Sequence, residues 1–180
     1  MFDVFQSTYA LLKLLSISPV AGRKRLQKTI HLLKSAGAPF SYAFRYHHYG
    51  PYAHALQEEI DQLVAGGLVE EQLDHDGYVY RLTERGVAFL ARLESDGYRF
   101  PLDETLYRSL IREQASFLEV VSTYAYFRTL GLTAQEAMDK VRALKPSLAD
   151  LIPQAVRYYD ECIGVKRSGE RRSGEHRRDG

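Results

Sequence analysis

Cysteine is almost absent from this chain: Cys162 stands alone among 180 residues. A single cysteine excludes an intrachain disulfide framework and a thiolate metal cluster, and it fits a reducing compartment. Long apolar runs are also missing. Crossing a bilayer takes roughly 20 apolar residues, and the runs here end after a few. No basic segment followed by an apolar stretch opens the chain, so no signal peptide is expected and the cytoplasm is the expected location.

Catalytic signatures are lacking too. Ser7, Ser16 and Ser41 have no nucleophile-elbow context, and there is neither a phosphate-cradling glycine loop nor an HExxH pair. Carboxylate pairs such as Glu58/Asp61 and Glu70/Glu71 read as solvated faces. His47-His48 with His54 is a weak metal motif, because adjacent side chains diverge on extended backbone and no Asp or Cys lies close by in sequence. The expectation is therefore no enzyme, no metal and no cofactor.

Net charge is nearly absent as well, at +1 from 24 basic and 23 acidic residues. Its distribution is uneven. Residues 1–50 carry seven basic and one acidic side chain, and residues 51–98 carry three and ten. Residues 99–165 carry eight and nine, and residues 166–180 six and three. A basic first block thus faces an acidic second one, which raises the question of partners.

Hydrophobic periodicity predicts helices over 4–16, 23–36 and about 52–64, with Pro51 suited to the first position of the third. Residues 40–49 are aromatic-rich and alternate imperfectly, as a short strand or an extended connector. The period then changes. Residues 68–73 and 78–82 read as strands around an Asp74–Gly77 turn, and Thr83 caps a helix over 84–95. A long helix is predicted from Asp103 to about Leu130. Thr133-x-x-Glu136 matches a capping box opening a helix to Leu144. A last helix runs from 147 or 148 to about 163, kinked or restarted at Pro153. The tail from Gly164 repeats RSGE, has no apolar residue after Val165, and reads as disordered.

The segment Gly22-Arg-Lys-Arg-Leu-Gln-Lys28, followed by Tyr46-His-His-Tyr-Gly-Pro-Tyr-Ala53, resembles the YwgA-like group of winged-helix proteins. It has a more distant likeness to the Panacea antitoxin domain. Residues 68–88, with the Leu82-Thr-Glu-Arg-Gly86 start of the closing helix, match the wing, and Gly131-x-Thr-x-x-Glu-Ala137 and Lys145-Pro146 extend the likeness to about residue 160. The resemblance implies a mainly α protein: a winged helix-turn-helix domain over 1–97, a small all-helical domain over 98–163 and a basic tail over 164–180. It implies a scaffold rather than an activity.

On that scaffold, Arg23, Lys24, Arg25 and Lys28 form a candidate DNA-backbone patch, reinforced by Lys13, Lys34 and Arg45. His54, Gln57 and Gln62 are the candidate base readers on the third helix. Glu58, Glu59 and Asp61 lie on the same helix and suit a phosphate backbone badly. The first expectation is a transcriptional regulator bound to double-stranded DNA. The alternative is a non-catalytic protein-interaction module, antitoxin-like or an adaptor, in which those three acids hold a basic protein partner. The aromatics of 39–52, interleaved with Arg45, stack single-stranded bases or pack the core. Tyr124, Tyr126, Phe127, Tyr158 and Tyr159 complete an internal core or build a homodimer surface, and a dimer would suit a palindromic site. No membrane partner is expected.

Overall fold

The computed structural model describes residues 5–75 and 77–166. Of the tail expected to be disordered from Gly164, residues 164–166 instead continue the last helical segment, while 167–180 and Asp76 of the expected turn lie outside those residues. The chain runs α1 (Gln6–Ile17), β1 (Val20–Ala21), α2 (Arg23–Ser35), β2 (Arg45–His47), β3 (Gly50–Tyr52), α3 (His54–Ala65), β4 (Val69–Asp74), β5 (Gly77–Leu82) and α4 (Glu84–Ser95). It continues through α5 (Glu104–Leu110), α6 (Ala115–Thr129), α7 (Ala134–Leu144), a 3-10 turn (Pro146–Leu151), α8 (Ile152–Tyr159) and a π turn (Asp160–Gly164). The architecture is mostly helical with two small antiparallel sheets, ordered β1-β5-β4 and β2-β3.

Local chemistry explains most boundaries. The Thr83 hydroxyl accepts from Gly86 N–H at the start of α4 and donates to the Gly67 carbonyl. Thr133 and Glu136 form the reciprocal capping box of α7. β4 and β5 pair from Val69↔Leu82 to Asp74↔Gly77, so Gly77, at φ +124°, closes the ladder rather than only the turn.

Three expectations are corrected. Pro51 does not open α3: it lies in β3, opposite Tyr46, and the helix begins three residues later at His54. The helix expected over 103–130 is broken at 111–114, where Arg112 and Glu113 N–H close short turns onto Ser109 and Leu110 and Gln114 is extended. That break frees the Glu113 carbonyl to accept from Arg25 Nε of α2. The last helix restarts beside Pro153 as expected, but the stretch before the restart is a 3-10 turn and the stretch after Tyr159 a π turn, not one continuous α-helix.

The centre of the molecule is α6. Eight consecutive residues, Leu118 to Ala125, are buried, so this helix is covered on every side rather than on one stripe. It packs on α2, α7, α8 and the β2-β3 hairpin, and residues on both sides of position 97 contribute to one buried cluster. The aromatics left open by the sequence pack within the chain, Tyr124 and Tyr159 buried and Tyr126, Phe127 and Tyr158 half-buried. Tyr124 and Tyr159 meet edge to face at 5.1 Å, Tyr126 and Phe127 flank Tyr46, and the Tyr158 hydroxyl bonds Ser109.

Two predictions follow from this packing. Gly86 is the third residue of α4, and a Cβ there would lie 2.0 Å from the Leu68 carbonyl oxygen, which is already fixed by Thr83 N–H. In an open helix Gly→Ala gains about 1 kcal/mol. Here the sign reverses, and Gly86→Ala lowers stability by about 2–3 kcal/mol in urea unfolding.

His31 is buried in α2, edge-on to Phe44 at 4.9 Å. Burial, then the Lys28 and Lys34 charges, push its pKa down to about 3. The unfolded chain therefore binds the proton first. This contribution to stability is complete above about pH 6.5 and is lost as pH falls toward 3, by up to about 1.4 kcal/mol per pH unit. His31→Phe flattens the stability profile between about pH 4.5 and 6.5, where thermal melts at stepped pH read it.

Candidate interaction surface

Two sequence-distant pieces of the LQK…YGPY pattern meet directly. Gln27, buried on α2, uses both ends of its amide: Nε2 donates to the Ala53 carbonyl at 3.0 Å, and Oε1 accepts from Ala53 N–H at 2.9 Å. Ala53 is the N-cap of α3, so Gln27 sets where that helix starts. The next residue, Lys28, donates from its Nζ to the Pro51 carbonyl at 2.6 Å. Just before Pro51, Gly50 stands at φ +90°, and a Cβ there would lie 2.8 Å from Thr123 Oγ1 of α6. Only glycine suits both the backbone and that contact.

Behind this clamp lies a buried carboxylate. Glu119 of α6 is 4% exposed. Lys145, just after α7, reaches its Oε1 at 2.6 Å, and Lys24 of α2 pairs with its Oε2. The Lys145 ammonium also donates to the His48 carbonyl of the hairpin turn. Desolvation alone would raise the Glu119 pKa, but hydrogen bonds from Lys145 and Lys24 outweigh it and hold the carboxyl below its ordinary value.

The expected backbone patch is therefore dispersed. Arg23 is exposed but makes a two-pronged contact with Glu71 of β4, at 3.1 and 3.3 Å. That pairing holds the Glu71 carboxyl below its usual range and the guanidinium firmly protonated. Lys24 is committed to Glu119. Arg25 donates to the Glu113 and Ala21 carbonyls. Lys28 is only 2% exposed, so it is not part of any surface patch. Of the three reinforcing cations, Lys13 pairs with Glu94 and Lys34 donates to the Tyr42 carbonyl, while Arg45 is exposed on β2.

On α3 the outcome is also mixed. His54 pairs with Glu58 at 3.2 Å, Gln57 donates to Asp61 at 2.9 Å, and Gln62 is exposed. Glu59 departs from the expected acidic face. It accepts from Thr8 of α1 at 3.1 Å and from the Tyr42 hydroxyl at 2.5 Å, joining α3 to the core. Burial and the Glu59 charge push the Tyr42 phenol up.

The outer face that remains carries Glu58, Asp61 and Gln62 on α3. The hairpin β4-β5 extends past the core, where Leu73 and Tyr78 stand directly opposite each other, 74% and 51% exposed. Sequence reasoning passed over Glu119 and Lys145. The signal for Glu119 was a lone carboxylate inside the apolar run Phe117-Leu-Glu-Val-Val121.

Removing the carboxylate charge leaves two lysines facing each other at a buried seam. Glu119→Gln costs about 3–5 kcal/mol. Adding Lys145→Met to it recovers part of that loss, a coupling that a double-mutant cycle in denaturant measures.

No family model matches the chain, and no solved structure matches it. The chain is 36% identical over 140 residues to the uncharacterized protein YwgA of Bacillus subtilis (strain 168), an alignment spanning 75% of this chain and 81% of that protein. With that identity carried over most of both sequences, the chain belongs to the YwgA family.

Proposed function

We propose that this protein is a winged-helix interaction module with no catalytic role, whose α3 and β4-β5 face holds a basic protein partner. The element order supports the scaffold: β1 edges the β4-β5 hairpin, α2 and α3 precede it, and α4 closes the unit. The observation that carries the partner class is the Leu73–Tyr78 pair. Two large apolar side chains are held in water at the tip of the hairpin, on a ribbon that also carries Glu70 and Asp74 and lies in the same acidic block as Glu58 and Asp61. Arg81 stands opposite Glu70 on this ribbon, so the negative charge of the block rests on Asp74, Glu58 and Asp61, and exposed apolar groups together with such charge suit a protein surface of the opposite sign.

The rival reading is a transcriptional regulator that binds double-stranded DNA, and the helix-helix-hairpin order favours it. A duplex needs a row of cations presented on an open outer surface. Lys28 is buried, Lys24 reaches inward to Glu119, Arg25 bonds the Ala21 and Glu113 carbonyls, and Arg23 is the one exposed cation of the four, while His54 and Gln57 are engaged by acids on their own helix.

Two measurements separate the readings. A photo-crosslinking residue at position 73, introduced in cells, is expected to give a discrete adduct with a basic protein. The adduct disappears with Glu58→Lys/Asp61→Lys, and the same residue at exposed position 144 gives none. Fluorescence anisotropy with duplex DNA is expected to show nothing tighter than the non-specific range of about 1–100 μM at physiological salt. Tighter duplex binding, weakened by Arg23→Gln/Lys24→Gln, would overturn the protein-partner reading.

A further inference from the structure

A cavity of about 260 Å³ opens between the N-terminal turn of α2, the β2-β3 hairpin and the start of α3. That lies just below the range of about 300–1,000 Å³ usual for small-molecule sites and suits a compact ligand. Arg23, Lys24 and Lys28 supply cations along its wall, Tyr49 and Tyr52 supply aromatic rings, and Gln57 supplies an amide. The Lys24 ammonium sits 4.9 Å from the Tyr49 ring centroid.

Charge around the cavity does not balance. Four cations meet here, the three on the wall and Lys145 behind them, against two carboxylates. Glu71 is taken by Arg23, and Glu119 is shared by Lys24 and Lys145. Lys28 is the cation left over. The residue is 2% exposed, and its ammonium donates one hydrogen bond among the described residues, to the Pro51 carbonyl, although an ammonium has three N–H donors. The charges acting on it are Glu119 in its favour and Lys24 and Lys145 against it. Burial leads, and together they bring its pKa down to about 8. A buried cation with unspent donors, facing a cavity and two further cations, is stabilised by an anion with several acceptor oxygens. A phosphate group has that chemistry. The exposed Tyr49 ring and the half-buried Tyr52 ring beside it offer flat apolar surface that a phosphate alone leaves uncovered.

We propose that this cavity binds a small phosphate ester carrying a planar ring, of the mononucleotide class, with the phosphate on Lys28, Lys24 and Arg23 and the ring against Tyr49 and Tyr52. The proposal goes beyond the protein-partner reading and does not rest on it, because Glu58, Asp61 and Leu73 take no part.

Isothermal titration calorimetry on the full chain tests it, with adenosine 5′-monophosphate as the probe and adenosine and inorganic phosphate beside it. The monophosphate is expected to bind saturably at one site, with a dissociation constant below about 1 mM, and adenosine to bind at least about tenfold more weakly. Lys28→Met is expected to weaken the monophosphate by about tenfold or more. Since Lys28 is buried, Arg23→Gln at an exposed position serves as a second variant that keeps the fold, and it weakens the same probe. Tyr49→Ala is expected to weaken the monophosphate while leaving inorganic phosphate unchanged. Glu58→Lys/Asp61→Lys retains binding, so failure of the partner reading and failure of this one are told apart. No saturation by the monophosphate below about 1 mM, equal affinity for adenosine, or affinity unmoved by both Lys28→Met and Arg23→Gln would each overturn the assignment.

Discussion

Glu119 is one carboxylate in the middle of a helix with no solvent-facing side, and three structural units depend on how it is neutralised. Lys24 brings the start of α2 to it. Lys145 brings the end of α7, and through its bond to the His48 carbonyl the hairpin turn as well. An ion pair of this kind adds little net stability over apolar side chains of the same volume, because desolvation offsets most of the Coulomb gain. Its effect is on geometry. An unpaired Glu119 in the seam is costly, so arrangements of α2 against α6 that separate the charges are disfavoured far more than a shifted apolar contact would be. The hairpin placed this way then presents Pro51 and Ala53 to Lys28 and Gln27, and those contacts set the start of α3.

This arrangement explains what the LQK…YGPY pattern is for, and why it misleads when read as surface chemistry. Read along the sequence, Arg23, Lys24, Arg25 and Lys28 cluster within six positions and look like a phosphate-binding stripe. On a helix they point in several directions. Lys28 falls on the same side as Leu32, which is fully buried, and Lys24 one turn earlier sits at the edge of that buried side. A one-dimensional charge count cannot see that α2 is covered on this side by α6, because the covering helix begins some ninety residues later. The same limit hid the role of Glu59. Its i, i+3 spacing to Gln62 puts it near the outer face, whereas Thr8 and Tyr42, from two other elements, claim its two oxygens.

What was legible depended on local chemistry. The Thr83 cap, the Thr133–Glu136 box, the β4-β5 hairpin and the stripe of α3 all stand where spacing and turn residues put them, since each is decided within a few residues. The break at 111–114 was not legible. Ile111, Arg112 and Glu113 are ordinary helix formers, and the interruption is supported from outside by Arg25 bonding the freed Glu113 carbonyl. Pro51 was misplaced for a related reason. Its ring suits a helix start, but the aromatic residues before it pair as a hairpin and push the helix on to His54.

Charge segregation ties the two proposals to one cause. The basic first block of the chain is largely neutralised by internal acids and carbonyls, yet neutralisation stops one cation short at Lys28, and the shortfall lies against a cavity rather than open water. The acidic second block is neutralised less completely at its outer edge, where among the described residues Glu58 and Asp61 have partners on their own helix only, and screening by water leaves such pairs weak. The residual positive charge is therefore enclosed and small, suited to a compact anion. The residual negative charge is spread over an outer surface and interrupted by Leu73 and Tyr78, suited to a larger partner. Arg23 lies between the two, on the cavity wall and bonded to Glu71 at the root of the hairpin. In the proposed complex an anion and the Glu71 carboxylate would share the donors of one guanidinium, which has more N–H groups than its contact with Glu71 uses.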